Sequence, residues 1–160
     1  MKQYIQHFID VCKSVFKEFL QMELEAKVPF FMEKDTQNDW DISAVIGFTG
    51  EARGAVVISM KQQMAIQLTA ALTGSEHNTV DDDVVDAVGE LINIIAGNVK
   101  QGLEDAFRLV ISLPTIIHGK DHSLVWPDSK ARVICIPFDI ANNNDNNFTL
   151  SIALEAVKGE

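Results

Sequence analysis

Residues 81–100, DDDVVDAVGELINIIAGNVK, read as one long amphipathic helix, and the rest of the chain is best understood from there. At about 100° per residue, Asp86, Glu90, Asn93, Gly97 and Lys100 fall within an arc of about 80°. Val84, Val88, Leu91, Ile92, Ile95 and Val99 gather on the opposite side. Such a helix buries a broad apolar face and keeps one narrow polar stripe outside. Thr79 followed by Asp82 matches a capping box, and Asp81, Asp82 and Asp83 set negative charge at the positive end of the helix dipole. The sequence therefore predicts a start at Thr79 or Asp81 and an end near Asp105.

Upstream, Met64, Ile66, Leu68, Ala71 and Leu72 predict a second helix over Lys61 to Thr73. Gly74 is its stop and Gly74 to Val80 a loop. Before it lie three strand-like runs, Lys27 to Met32, Ile42 to Phe48 and Ala55 to Met60, the first two separated by the polar Glu33 to Asp41. The last two runs read as a hairpin turning at Gly50 to Gly54. Apolar residues from Ile5 to Phe19 at spacings of three and four predict a leading helix from Tyr4 to about Glu25. Downstream, strands are predicted over Leu109 to Ile117, Ala131 to Phe138 and Phe148 to Val157, with Asn142 to Asn147 as the last loop. The order is α+β with an antiparallel sheet of about six strands, and it suggests a pseudo-repeat of one helix plus three strands.

The 160 residues carry a net charge of −10 and are 47% hydrophobic, which fits a single globular domain over 1–160. A nucleic-acid partner is not expected, because no Lys/Arg cluster longer than a pair occurs. No apolar run approaches the length of a membrane span, and charges interrupt the first helix, so the expectation is a cytoplasmic protein. Cys12 and Cys135 have neither a disulfide framework nor a zinc spacing, and read as buried free thiols.

The phosphate-loop, dinucleotide and nucleophile-elbow patterns are all absent. His118 and His122 are spaced i, i+4, but Gly119-Lys120-Asp121 between them reads as a turn, which makes them solvated loop histidines and leaves no metal site. Asp145 stands without other carboxylates in an Asn-rich loop, too few for calcium. Asn147-Phe148-Thr149 fits a glycosylation acceptor by chance only, for want of a secretory signal. The stripe on the long helix remains. Any solvated helix face shows such a stripe, yet Asn is an indifferent helix former and Gly costs ~1 kcal/mol in a helix interior. Glu90 and Asn93, one turn apart, address the same target, and Gly97 lets another backbone approach.

The segment Asp86 to Asn98, the helix ending Leu72-Thr73-Gly74 and the hairpin strand Gly54 to Met60 resemble the CheC/CheX/FliY phosphatase family, most narrowly its CheX branch. The likeness spans nearly the whole chain, with a single E-x-x-N motif where CheC-type members usually carry two. The resemblance implies an antiparallel sheet with a pair of long helices on one face, and a homodimer through strand edges. It further implies hydrolysis of the aspartyl phosphate of the response regulator CheY. Glu90 would pair with the regulator's active-site lysine and Asn93 would orient the attacking water. On the helix face itself Asp86 and Gly97 are candidates for partner contact, Asp86 also reading as an i, i+4 neighbour that repels Glu90 and keeps the stripe open. Mg²⁺ would belong to the regulator, with no cofactor held by this chain. The family's proline after the motif maps to Pro114, although Pro114 arrives earlier than the family spacing. The competing expectations are a non-catalytic interaction module of chemotaxis or flagellar switching, and a metabolite enzyme using Glu90 as a general base.

Overall fold

In the computed structural model, which describes residues 2–33, 39–126 and 132–158, the chain begins with α1 (Lys2–Leu20), β1 (Leu24–Ala26) and β2 (Phe30–Phe31). It continues through β3 (Trp40–Gly50), β4 (Ala52–Met60), α2 (Gln62–Thr73) and α3 (Asp82–Gly102). It ends with β5 (Leu109–Ile111), β6 (Thr115–His122), β7 (Ile134–Ile140) and β8 (Asn143–Ala156). Alternation along the strands decides which face meets the helices. Ile42, Ala44, Ile46 and Phe48 on β3, Val56, Ile58 and Met60 on β4, Ile134, Ile136 and Phe138 on β7, and Phe148, Leu150 and Ile152 on β8 all join one core. The residues between them put small and polar groups, Ser43, Ser59, Cys135 and Ser151, on the other face. Phe148 stacks between Phe16 of α1 and Phe138.

Among the described residues eight strands form one antiparallel sheet in the order β1-β7-β8-β4-β3-β5, with β2 also on β7 and β6 also on β3. The expected pseudo-repeat appears in this order. If β1/β2, β3 and β4 are matched with β5/β6, β7 and β8, the order read backwards is the same order, and β4 and β8 pair at the centre. Each half sends its first strand to the outer edge of the other half's hairpin.

Several expected boundaries move. Helix α1 ends at Leu20, not near Glu25, because Gln21 turns left-handed at φ 54° and Leu24–Ala26 pairs with β7. The sheet has eight strands rather than about six, partly because the run from Leu109 to Ile117 breaks at Leu113-Pro114 into β5 and β6. Among the described residues there are three helices, α1 contacting both α2 and α3. The final loop is only the turn Ala141-Asn142, with Asn142 at φ 67°, and the asparagines that follow enter β8. Helix α3 stops at Gly102 rather than Asp105, with Leu103 and the residues after it in turns. The expected strand start at Ala131, the centre of the Glu33 to Asp41 stretch and the Asp145 side chain lie outside what is described. No helix among the described residues is long and apolar enough to cross a membrane.

Candidate functional site

Helix α3 is fastened at its start by Asp81 rather than Thr79. One carboxylate oxygen of Asp81 accepts from the Val84 N–H at 3.0 Å and the other lies 2.7 Å from His77 Nδ1. The His77 hydrogen bond, then the Val84 amide, hold the Asp81 carboxyl below its ordinary range. Helix α2 has no side-chain cap of its own at Lys61, but Asp41 at the start of β3 accepts from the Gln62 N–H at 2.8 Å. At its other end Gly74 takes φ 75° and donates to the Ala70 carbonyl, as the sequence predicts.

The apolar face of α3 is fully inside: Val84, Val88, Leu91, Ile92, Ile95, Ala96 and Val99 all have no exposed surface. The opposite stripe emerges as expected, with Asp86, Glu90 and Asn93 exposed and Gly97 and Lys100 half-buried. Glu90 and Asn93 are about 4.5 Å apart along the axis. Neither they nor Asp86 has a side-chain hydrogen bond or ion pair among the described residues. Asn98 is different: its Nδ2 donates back to the Ile94 carbonyl at 2.8 Å. Gly97 has open space where a Cβ would stand. Gly89 is buried, and a Cβ there would lie 3.4 Å from Ile116 Cδ1 and 3.9 Å from Pro114 Cγ. Pro114 therefore abuts the turn of α3 that carries Glu90.

The histidine expectation needs correction. His118 and His122 both belong to β6, and the predicted turn between them is a bulge within that strand, where the register against β3 shifts between Trp40 and Ile42. The chain folds back within that stretch, with Asp121 at φ 56°. His118 is exposed, but His122 is not a solvated loop residue: its Nδ1 lies 2.7 Å from the Gly119 carbonyl and its Nε2 2.8 Å from Ser43 Oγ. Sequence reading also passed over His77. Its i, i+4 spacing to Asp81 was the available signal, and His77, Asp81 and Asp83 bring ligand atoms within 4.8 Å of one another. Asp81 is engaged there in capping, and the helix terminus adds positive potential, which disfavours a cation. Cys12 and Cys135 are free and buried, and burial pushes both thiols up, away from reactivity.

A cleft of about 320 Å³ lies elsewhere, lined by Asp39, Trp40, Lys61, Gln63, Met64, Asn146 and Asn147. None of the stripe residues lines it, so this cleft gives Glu90 no enclosed substrate site. An exposed carboxylate and an exposed amide, both without partners among the described residues, are open to groups from outside the chain. The carboxylate can pair with a cation and the amide can both donate and accept.

Comparison with known proteins gives the family and the fold. The family model described as chemotaxis phosphatase CheX matches residues 42–139. The CheY-P phosphatase CheX of Thermotoga maritima is 30% identical over 110 residues, 68% of this chain and 69% of that protein. The crystal structure of the chemotaxis protein CheX from Desulfovibrio desulfuricans superposes with a TM-score of 0.84 at 27% identity, covering 96% of this chain and 99% of that one. The CheX–CheY–BeF3–Mg²⁺ complex from Borrelia burgdorferi contains a chain of the same fold, with a TM-score of 0.79 at 24% identity over 95% of this chain and 97% of that one.

Proposed function

The chain belongs to the chemotaxis phosphatase CheX family, and from that premise we propose that it hydrolyses the aspartyl phosphate of a CheY-like response regulator in the cytoplasm, acting as a single domain over residues 1–160. The observation that carries this reading is the Glu90/Asn93 pair, exposed one helical turn apart and unpartnered among the described residues. The substrate is already an activated acyl phosphate. Its loose transition state needs water held in line and charge neutralised, with little covalent work left to the catalyst.

Glu90 pairs with the regulator's active-site lysine and sets the orientation of docking. Asn93 then reaches the phosphoryl group, accepting from the attacking water through its carbonyl and donating through its NH₂. Asp86 adds acidic field to the same face, and Gly97 admits a close approach of the partner's backbone. Mg²⁺, a component of the Borrelia complex, would be held by the regulator and would neutralise phosphoryl charge there. This chain contributes placement only. The same reading makes the protein a homodimer through a strand edge. Strand β6, eight residues long, pairs only with β3 among the described residues, which leaves a row of backbone groups available for a second copy.

The test mixes the protein with a phosphorylated CheY-type regulator and Mg²⁺ and follows loss of the aspartyl phosphate for the parent and for Asn93→Ala. Acceleration by the parent alone is expected. Equal rates with and without the parent, across several regulators, overturn the phosphatase and leave α3 as an interaction face.

A further inference from the structure

The corner between β5 and β6 displays an apolar side chain on a backbone built to stay still. Leu113 is 87% exposed. Single exposed leucines are ordinary on protein surfaces, but this one is pinned from both sides. The Ser112 N–H donates to the Gly47 carbonyl at 3.0 Å, and the Gly47 N–H donates to Ser112 Oγ at 2.9 Å. The Ser112 hydroxyl donates in turn to the carbonyl of Leu113 itself at 2.9 Å. The following residue, Pro114, has its φ fixed by the ring and rests against Gly89, the neighbour of Glu90. Leu113 thus sits between Ser112, which is tied to the sheet, and Pro114, which lies beside the turn of α3 that carries the exposed carboxylate. An apolar group on a pre-ordered backbone gives up little freedom when a partner covers it, the property that distinguishes an interface anchor from a loose surface contact.

We infer that Leu113 is an apolar anchor for the phosphorylated response regulator, covered when Glu90 and Asn93 engage it, and that it selects regulators presenting an apolar patch beside their active-site lysine. The inference rests on the proposed function, because continuity with the Glu90 turn is what names the occupant. Charge points the same way. A second copy seated here would bring its own net charge of −10 against Asp86 and Glu90, whereas a surface centred on a lysine is attracted to them.

Two measurements test it. Steady-state dephosphorylation of the regulator by Leu113→Asp is expected to show KM raised about tenfold with kcat retained, a split that a folding defect does not produce. Leu113→Cys carrying an environment-sensitive thiol dye reads the contact directly, since Cys12 and Cys135 are buried. Its emission should shift to the blue on adding regulator with BeF3 and Mg²⁺, and the shift should persist when Asn93→Ala is combined with it. If the parent turns over the regulator while Leu113→Asp keeps the parental KM and the dye does not respond, the anchor is wrong and the phosphatase stands. If the parent has no turnover yet the dye responds, the anchor stands on a binding module and the phosphatase reading falls. If there is neither turnover nor a dye response, both fall.

Discussion

Two sets of polar side chains lie on the two sides of this molecule, and they are treated in opposite ways. On the outer face of the sheet Ser43 and Ser59 are buried with hydroxyls 2.7 Å apart, and His122 completes the chain between Ser43 and the Gly119 carbonyl. With the Gly119 carbonyl as acceptor, His122 carries its proton on Nδ1, so Nε2 accepts from Ser43 and Ser43 accepts from Ser59. On α3, Glu90 and Asn93 are exposed and hold no side-chain partner among the described residues. The serine–histidine group looks like chemistry in composition but is saturated and closed, whereas the E-x-x-N pair looks bland and is left free. Partner-directed function goes with polar groups whose hydrogen bonds the fold does not use, and architecture with those it does.

The largest expected effect separates these two sides in one experiment. Asn93→Ala should slow regulator dephosphorylation by about 100-fold, because misplacing the attacking water costs on that order, while leaving the thermal midpoint unchanged. Ser43→Ala should do the reverse. It strands the buried Ser59 donor and takes one partner from the half-buried His122, for a loss of about 1–3 kcal/mol, with phosphatase activity per folded molecule as in the parent. A parental melting curve for Ser43→Ala, or lost turnover at full stability, would break the contrast. Glu90→Gln comes next: KM should rise about tenfold, roughly 1.4 kcal/mol, and the effect should shrink as ionic strength increases, since it removes an electrostatic docking contact. Salt-independent loss would move Glu90 out of docking and into the chemistry.

How much of this was legible in the sequence depended on how local the cause was. The face of α3 could be placed from its 3.6-residue period alone, and with it the positions of Asp86, Glu90, Asn93 and Gly97, because an isolated helix already fixes which residues share a stripe. The runs that become β3 and β4 were readable because a short apolar stretch bounded by turn residues is also a local signal. The end of α1 was not. Glu18 to Glu25 carries no Gly or Pro, and the chain leaves the helix at Gln21 because Leu24–Ala26 finds β7 more than a hundred residues away. Pro114 lies inside the run from Leu109 to Ile117 that reads as one strand, and its approach to Gly89 joins segments that only the folded sheet brings together. The resemblance to a family supplied a role for the stripe, whereas the pinned corner at Leu113 needed coordinates.

Gly97→Ala sharpens the contrast at smaller amplitude. With no atom near the added methyl, the helix should gain up to about 1 kcal/mol from propensity. If the regulator's backbone approaches there, the same variant should bind it more weakly, so a protein that is more stable and a poorer phosphatase is the expected pair of results. Greater stability with parental kinetics would confine the partner's footprint to the Asp86–Asn93 portion of the stripe.

The smallest effect probes whether the free stripe depends on the fastening below it. The Asp81 carboxyl is held below its ordinary value of 3.8 by His77 and the Val84 amide. A carboxylate whose folded pKa is depressed stabilises the fold above its unfolded value, and that contribution is lost as pH falls from there through the lower folded value. The first turn of α3 should therefore loosen in acid below about pH 4, while Asn93, about 18 Å further along the helix, stays anchored by the buried face. Amide-exchange protection compared at Val84 and at Asn93 between pH 6 and pH 3 reads this directly: the Val84 factor should fall first. Asp81→Asn keeps a capping oxygen without the titration, so its Val84 protection should be flat over the same range. An Asp81→Asn protein with the parental slope would mean that another group controls the start of α3, and the cap would no longer explain where this helix begins.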